Sequence, residues 1–93
     1  MELENMKSPN GKNVPNQFEV TTERGKWYRS YESNIVLVDN DGQVWLDKQY
    51  WDYSPTTSKY RNMFLGNVDG RYVDTKICKQ LIKERVYKLT DLN

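Results

Sequence analysis

Residues 34–47 read NIVLVDNDGQVWLD, and the fold is decided here. Ile35, Val36, Leu37 and Val38 form an unbroken apolar run, the mark of a strand covered on both faces. Asp39-Asn40-Asp41-Gly42 follows, four residues that tolerate or favour the left-handed backbone of a tight turn. Val44, Trp45 and Leu46 then make a return strand ending at Asp47. A two-sided strand requires something packed on each face. Upstream, Gln17–Thr22 and Lys26–Tyr31 both alternate around the turn Glu23-Arg24-Gly25, which predicts a β-hairpin. Phe18, Val20 and Thr22 share one face, and Trp27, Arg29 and Tyr31 lie opposite Tyr28 and Ser30.

Downstream the period changes. Tyr50–Tyr53 reads as an extension of the sheet. Ser54-Pro55 is a helix start: the serine can accept first-turn N–H groups, and proline suits the first helical position. Thr56, Tyr60, Met63 and Phe64 fall on one face of this first helix, Ser58, Arg61 and Asn62 on the other, and Gly66 is the expected stop. A second helix starts at Asp74 or Thr75. Its apolar stripe is Ile77, Cys78, Leu81 and Ile82, its reverse face Lys76, Lys79 and Lys83, and it ends near Glu84. Val86–Leu89 reads as a short closing strand. Strands first and helices later predict an α+β domain over residues 17–93, an antiparallel sheet with two short helices on one face. Residues 1–16 hold four asparagines and the turn Ser8-Pro9-Asn10-Gly11. They read as a flexible tail with little to bury.

Composition narrows the function. The chain has 93 residues, 14 basic and 13 acidic, net +1. A DNA mimic needs a large acidic excess, and a dedicated duplex binder a basic one. The chain has no histidine, which removes His-based triads, His-ligated zinc and a histidine general base. Cys78 is the only cysteine, so no internal disulfide forms; on the apolar stripe it reads as a small hydrophobe. No run approaches the roughly 18 apolar residues of a membrane span, and the first residues lack a secretory apolar core. The expected location is the cytoplasm.

Asp39, Asp41 and Asp47 are the candidates for a metal site. Tyr50 stands where a calcium loop beginning at Asp39 needs a glutamate, so the first two are read as turn residues. Asp47 is adjacent to Lys48 and is read as half of a surface ion pair. No catalytic residue, metal ligand or cofactor is expected. The candidate binding residues are Ser58, Lys59, Arg61 and Asn62 on the exposed face of the first helix, and Lys76, Lys79 and Lys83 on the second. The segment Arg71–Asn93 carries six basic and three acidic residues, a patch suited to phosphate or an acidic partner.

Tyr31-Glu32-Ser33-Asn34-Ile35, Trp51-Asp52-Tyr53-Ser54, Thr56–Arg61 and Phe64-Leu65-Gly66, with Thr75-x-Lys and the closing Tyr87-x-Leu-x-Asp-Leu, resemble small uncharacterised proteins encoded by phages and prophages of Gram-positive bacteria. The resemblance covers Tyr31–Asn93. Such proteins often carry a glycine turn before the last strand; here Glu84-Arg85 stands in that place. The resemblance implies an accessory protein that binds a host macromolecule, a host protein first, in an inhibitory, regulatory or counter-defence role. The alternatives are a nucleic-acid-binding regulator using the basic face of the second helix, or a sponge for a small signalling nucleotide at an oligomer interface. A metal-dependent nuclease ranks last.

Overall fold

The computed structural model describes all 93 residues. The elements are β1 (Glu2–Lys7), β2 (Asn13–Thr22), β3 (Gly25–Ser30), β4 (Ser33–Asp39), β5 (Val44–Asp47), α1 (Pro55–Asp69), α2 (Thr75–Lys83) and β6 (Tyr87–Thr90). Six strands form one sheet in sequence order, an α+β fold. Neighbours from β1 to β5 pair antiparallel. β6 joins β5 in parallel, so the sheet is mixed rather than wholly antiparallel. The crossover from Lys48 to Val86, containing both helices, is long enough to return the chain to the starting end of β5, as parallel pairing requires.

The predicted flexible tail is instead a hairpin. The turn at Ser8–Gly11 closes it: Gly11 N donates to Ser8 O at 2.9 Å, Ser8 N to Lys12 O at 2.8 Å, and Gly11 takes φ +82°. β1 then pairs along β2 from Glu2↔Thr21 to Lys7↔Asn13. Backbone hydrogen bonds do not need apolar side chains, and one buried residue, Met6, anchors the strand in the core. β2 carries a bulge opposite Met6, where Asn16 takes φ +65° and Asn5 Nδ2 donates to Val14 O at 3.0 Å.

The two sheet faces carry separate clusters. Tyr28, Val36, Val38, Val44, Leu46 and Tyr87 meet Tyr60, Phe64 and Leu65 of α1 and Cys78 and Leu81 of α2. On the other face Val20, Trp27 and Leu37 pack with Leu92, delivered when the chain after β6 crosses back over the sheet. Asn93 ties that segment to β4: Asn34 N donates to its Oδ1 at 2.7 Å, and its Nδ2 donates to Asn34 O at 2.9 Å.

Asp47 is not half of a surface ion pair. It is buried, and its carboxylate accepts from the backbone N–H groups of Gln49 (3.1 Å), Tyr50 (2.9 Å) and Leu92 (2.8 Å). It thereby fixes both the approach to α1 and the crossing C-terminal segment. Asp39 closes its turn, accepting from Asp41 N (2.9 Å), Gln43 N (3.0 Å) and Trp45 Nε1 (3.0 Å). The hydrogen bond from Trp45, with those from the turn backbone, outweighs partial burial and holds its carboxyl below its ordinary value.

Ser54 caps α1 as expected, accepting from Thr57 N at 3.1 Å. Gly66 does not end the helix. α1 runs to Asp69, and Gly70 at φ +67° donates to Gly66 O at 2.9 Å. Gly66 has another purpose: a Cβ there would stand 3.1 Å from Arg71 O, so glycine lets the α1–α2 connection lie against the helix. Tyr50–Tyr53 forms turns rather than strand. The turn before β6 is present without glycine, with Arg85 at φ +62° and Val86 N donating to Leu81 O at 2.9 Å.

Candidate functional site

The residues expected on the exposed faces of the two helices separate into three places. Arg61 is the largest correction. It was expected to point outward, yet it is fully buried, because the inward stripe of α1 is Thr57, Tyr60, Arg61, Phe64 and Leu65. Thr56 is exposed and Met63 only half-buried. The Arg61 guanidinium joins three segments. It lies 5.0 Å from the Trp51 ring centroid and donates to Trp51 O. It pairs with Asp52 at 3.3 Å and donates to Thr75 Oγ1 at 2.8 Å and Asn62 Oδ1 at 2.9 Å. The buried cation is therefore paired and hydrogen-bonded, the condition for tolerating a charge out of water.

Ser58 and Asn62 belong to this same hub. Ser58 Oγ donates to Asp52 Oδ1 at 2.9 Å, and Asn62 is half-buried between Arg61 and Cys78. Burial alone would raise the Asp52 carboxyl. The hydrogen bonds from Ser58 and Arg61, the Arg61 charge and the Lys79 charge outweigh it and hold the carboxyl below its ordinary value. Cys78 is buried, and burial pushes its thiol up, as for a packing residue rather than a nucleophile. Lys59 is apart from the hub, exposed over the Tyr60 ring at 5.4 Å, at the rim of a groove shared with Arg71 and Tyr72. Lys76, Lys79 and Lys83 form an exposed stripe on α2.

The largest cleft lies elsewhere. Its volume is about 680 Å³, within the range of ligand pockets. It opens between the β3–β4 turn, the β2 bulge and the approach to α1, and is lined by Asn16, Ser30, Tyr31, Glu32, Ser33, Ile35, Tyr50, Tyr53, Ser54 and Thr57. Tyr31 is 61% and Tyr53 69% exposed. Tyr50 and Tyr53 stand edge to face, centroids 5.4 Å apart at 76°. Tyr31 occupies the first position of the two-residue turn between Ser30 and Ser33 with φ +55°. Glycine usually fills that position, and a bulky residue there is strained. Tyr31 N donates to Asn16 O at 2.7 Å, locking this turn to the β2 bulge.

Beneath the tyrosines runs a chain of hydroxyls. Ser54 Oγ donates to Thr57 Oγ1 at 3.1 Å, Thr57 Oγ1 lies 3.2 Å from Ser30 Oγ, and the Tyr28 hydroxyl lies 3.3 Å from Thr57 O and donates to Gln17 Oε1. Every member is buried except half-buried Ser54. Burial pushes the Tyr28 phenol up to about 12. The chain ends on an amide oxygen, which takes no proton from the tyrosine. The floor of the cleft is thus a closed structural network, while the rings of Tyr31 and Tyr53 above it are exposed.

Sequence pattern alone does not reveal the walls of the cleft: Tyr31 and Tyr50–Tyr53 read as strand, and Glu32 enters only through the resemblance. One signal is present: Ser30 and Ser33 flank Tyr31-Glu32, and serine is among the residues that favour turns.

No helix of the chain is long and apolar enough to cross a membrane. No curated protein and no solved structure matches the sequence. The model described as "Family of unknown function (DUF8033)" matches residues 1–84, from β1 through both helices, and the chain belongs to that family.

Proposed function

We propose that this chain is a non-catalytic binding protein that engages a host protein, in an inhibitory or regulatory role, through the tyrosine cleft beside the start of α1. One observation carries the reading. Tyr31 and Tyr53 expose their rings at the cleft, half-buried Tyr50 lies against Tyr53, and the backbone holds Tyr31 in a strained conformation. Tyrosine combines large contact area with few rotatable bonds and is enriched at protein interfaces. Strain is retained where the surrounding structure over-determines it, commonly at functional sites. The resemblance to phage and prophage accessory proteins supplies the host partner and the cytoplasmic setting. The closed hydroxyl chain and the structural use of Asp39 and Asp47 support a role without catalysis, since neither arrangement activates a nucleophile or leaves carboxylates free for a metal pair.

The second reading, a nucleic-acid regulator, rests on the exposed Lys76, Lys79 and Lys83 stripe. A signalling-nucleotide sponge is less favoured, because no lysine or arginine lines the largest cleft. One experiment separates the readings. The tagged chain is used to capture proteins from a Gram-positive bacterial lysate. The expected partner is retained by a Lys76→Ala, Lys79→Ala, Lys83→Ala variant and lost by Tyr31→Ser, Tyr53→Ser. The reverse pattern, or binding to nucleic acid that weakens with salt and with each lysine removed, overturns the cleft reading.

A further inference from the structure

We infer that the cleft receives a basic side chain, arginine or lysine, of a protein partner, held against Tyr31, Tyr50 and Tyr53 with Glu32 as its counter-charge. The inference rests on the proposed binding role and names its chemistry. Aromatic faces attract cations, and this chain uses the attraction repeatedly. Each of its three tryptophans carries a cation of its own: Arg24 lies 5.0 Å from the Trp27 centroid, Arg61 5.0 Å from Trp51, and Lys88 Nζ 5.7 Å from Trp45. Tyr60 has Lys59 Nζ at 5.4 Å. The cleft tyrosines have none, and neither lysine nor arginine is among the residues lining the cleft. Glu32, exposed at the rim, is its one charged residue and makes no ion pair. Tyr50 and Tyr53 meet edge to face, and the unpaired Glu32 carboxylate lines the same cleft, so ring surface and a negative charge stand together there without a cation.

An anion is the competing occupant, because α1 begins at the cleft and helix N-termini favour negative charge. Here most of the first-turn donors are already engaged, and only Thr56 N–H is left without a partner. Thr57 N is taken by Ser54 Oγ and Ser58 N by Ser54 O, and the hydroxyls bond one another. Pro55 has no N–H. Glu32 would repel an anion at the rim.

The test is an NMR titration of the ¹⁵N-labelled full chain, with tyrosine ring resonances followed. The probes are the blocked tripeptide Gly-Arg-Gly, its neutral counterpart Gly-Gln-Gly, spermidine and inorganic phosphate. The arginine peptide is expected to shift Tyr31, Glu32, Tyr50 and Tyr53 with a Kd on the order of 1 mM, a fragment-scale affinity. The glutamine peptide is expected to leave them unmoved. Tyr53→Ala and Glu32→Gln are exposed and leave folding intact; each should weaken arginine binding about fivefold or more. Equal response to both peptides, response to phosphate alone, or no response overturns the inference. Tighter binding of spermidine than of the peptide also overturns it, since the occupant would then be a free polyamine. If the peptide fails while Tyr31→Ser, Tyr53→Ser still abolishes partner capture, the cleft remains the binding surface and only the cation assignment falls.

Discussion

Arg61→Ala should be strongly destabilising, although the residue is charged and its sequence context suggests a surface position. The guanidinium is 0% exposed, whereas the side chain of its ion-pair partner Asp52 is 38% exposed. Removing one member of a buried pair costs about 3–5 kcal/mol. Water reaches Asp52 once the arginine is gone, so the lower end applies, about 3 kcal/mol. The same change strips charged donors from Trp51 O, Asn62 Oδ1 and Thr75 Oγ1, and it removes the cation from Trp51. For a domain of this size about 3 kcal/mol lowers Tm by roughly 12–24 °C. Urea titration followed by tryptophan fluorescence, beside calorimetry, measures it. Arg61→Lys keeps the charge but loses the planar fork and should fall between. Lys83→Ala, on the exposed stripe, should change stability by no more than about 0.5 kcal/mol. Acid supplies an internal check. Because the Asp52 carboxyl is held low in the folded state, the pair's contribution is present above the unfolded carboxylate value of about 4 and is lost as pH falls through the folded one. The gap between wild type and Arg61→Ala should therefore narrow in acid below about pH 4. An Arg61→Ala protein within about 0.5 kcal/mol of wild type at neutral pH would refute the hub.

Met6→Ala, at a residue 5% exposed, should cost about 2–5 kcal/mol, and hydrogen exchange should find the β2-facing amides of Glu2–Lys7 protected; free exchange across that strand would return it to a loose tail. Tyr31→Gly should leave stability unchanged or raise it by up to about 1 kcal/mol by relieving the positive φ, while weakening partner capture. A loss of more than about 1 kcal/mol in denaturant titration would remove the argument from strain. At high pH, Tyr28 predicts a decline: its folded value of about 12 lies above the unfolded value near 10. Its contribution is thus intact below about pH 10 and lost as pH rises through 12, by on the order of 2–3 kcal/mol. Tyr87 is pushed up by burial and by Asp69 as well, so Tyr28→Phe should flatten only part of the alkaline slope; an unchanged slope counts against a buried Tyr28 phenol.

What the sequence determined by itself was local. Asp39–Gly42 turns, Ser54 and Asp74 cap helices, and Ile77, Cys78, Leu81 and Ile82 form a stripe turned toward the sheet, because turn chemistry and the helical period act over a few residues. The α+β class followed from those elements. Tertiary structure decided the rest. Arg61 turns inward because Trp51, Asp52 and Thr75 arrive from other segments to satisfy it, and no helical period announces partners 9–14 residues away. β1 exists because β2 offers a backbone edge, which is blind to side-chain polarity. The direction of β6 follows from the path of the chain around two helices, which returns it to the starting end of β5. The cleft gathers Tyr31 and Glu32 from a hairpin turn, Tyr50 and Tyr53 from a loop fixed by buried Asp47, and Asn16 from a bulge. Those residues share no periodicity, and only the folded chain brings them together.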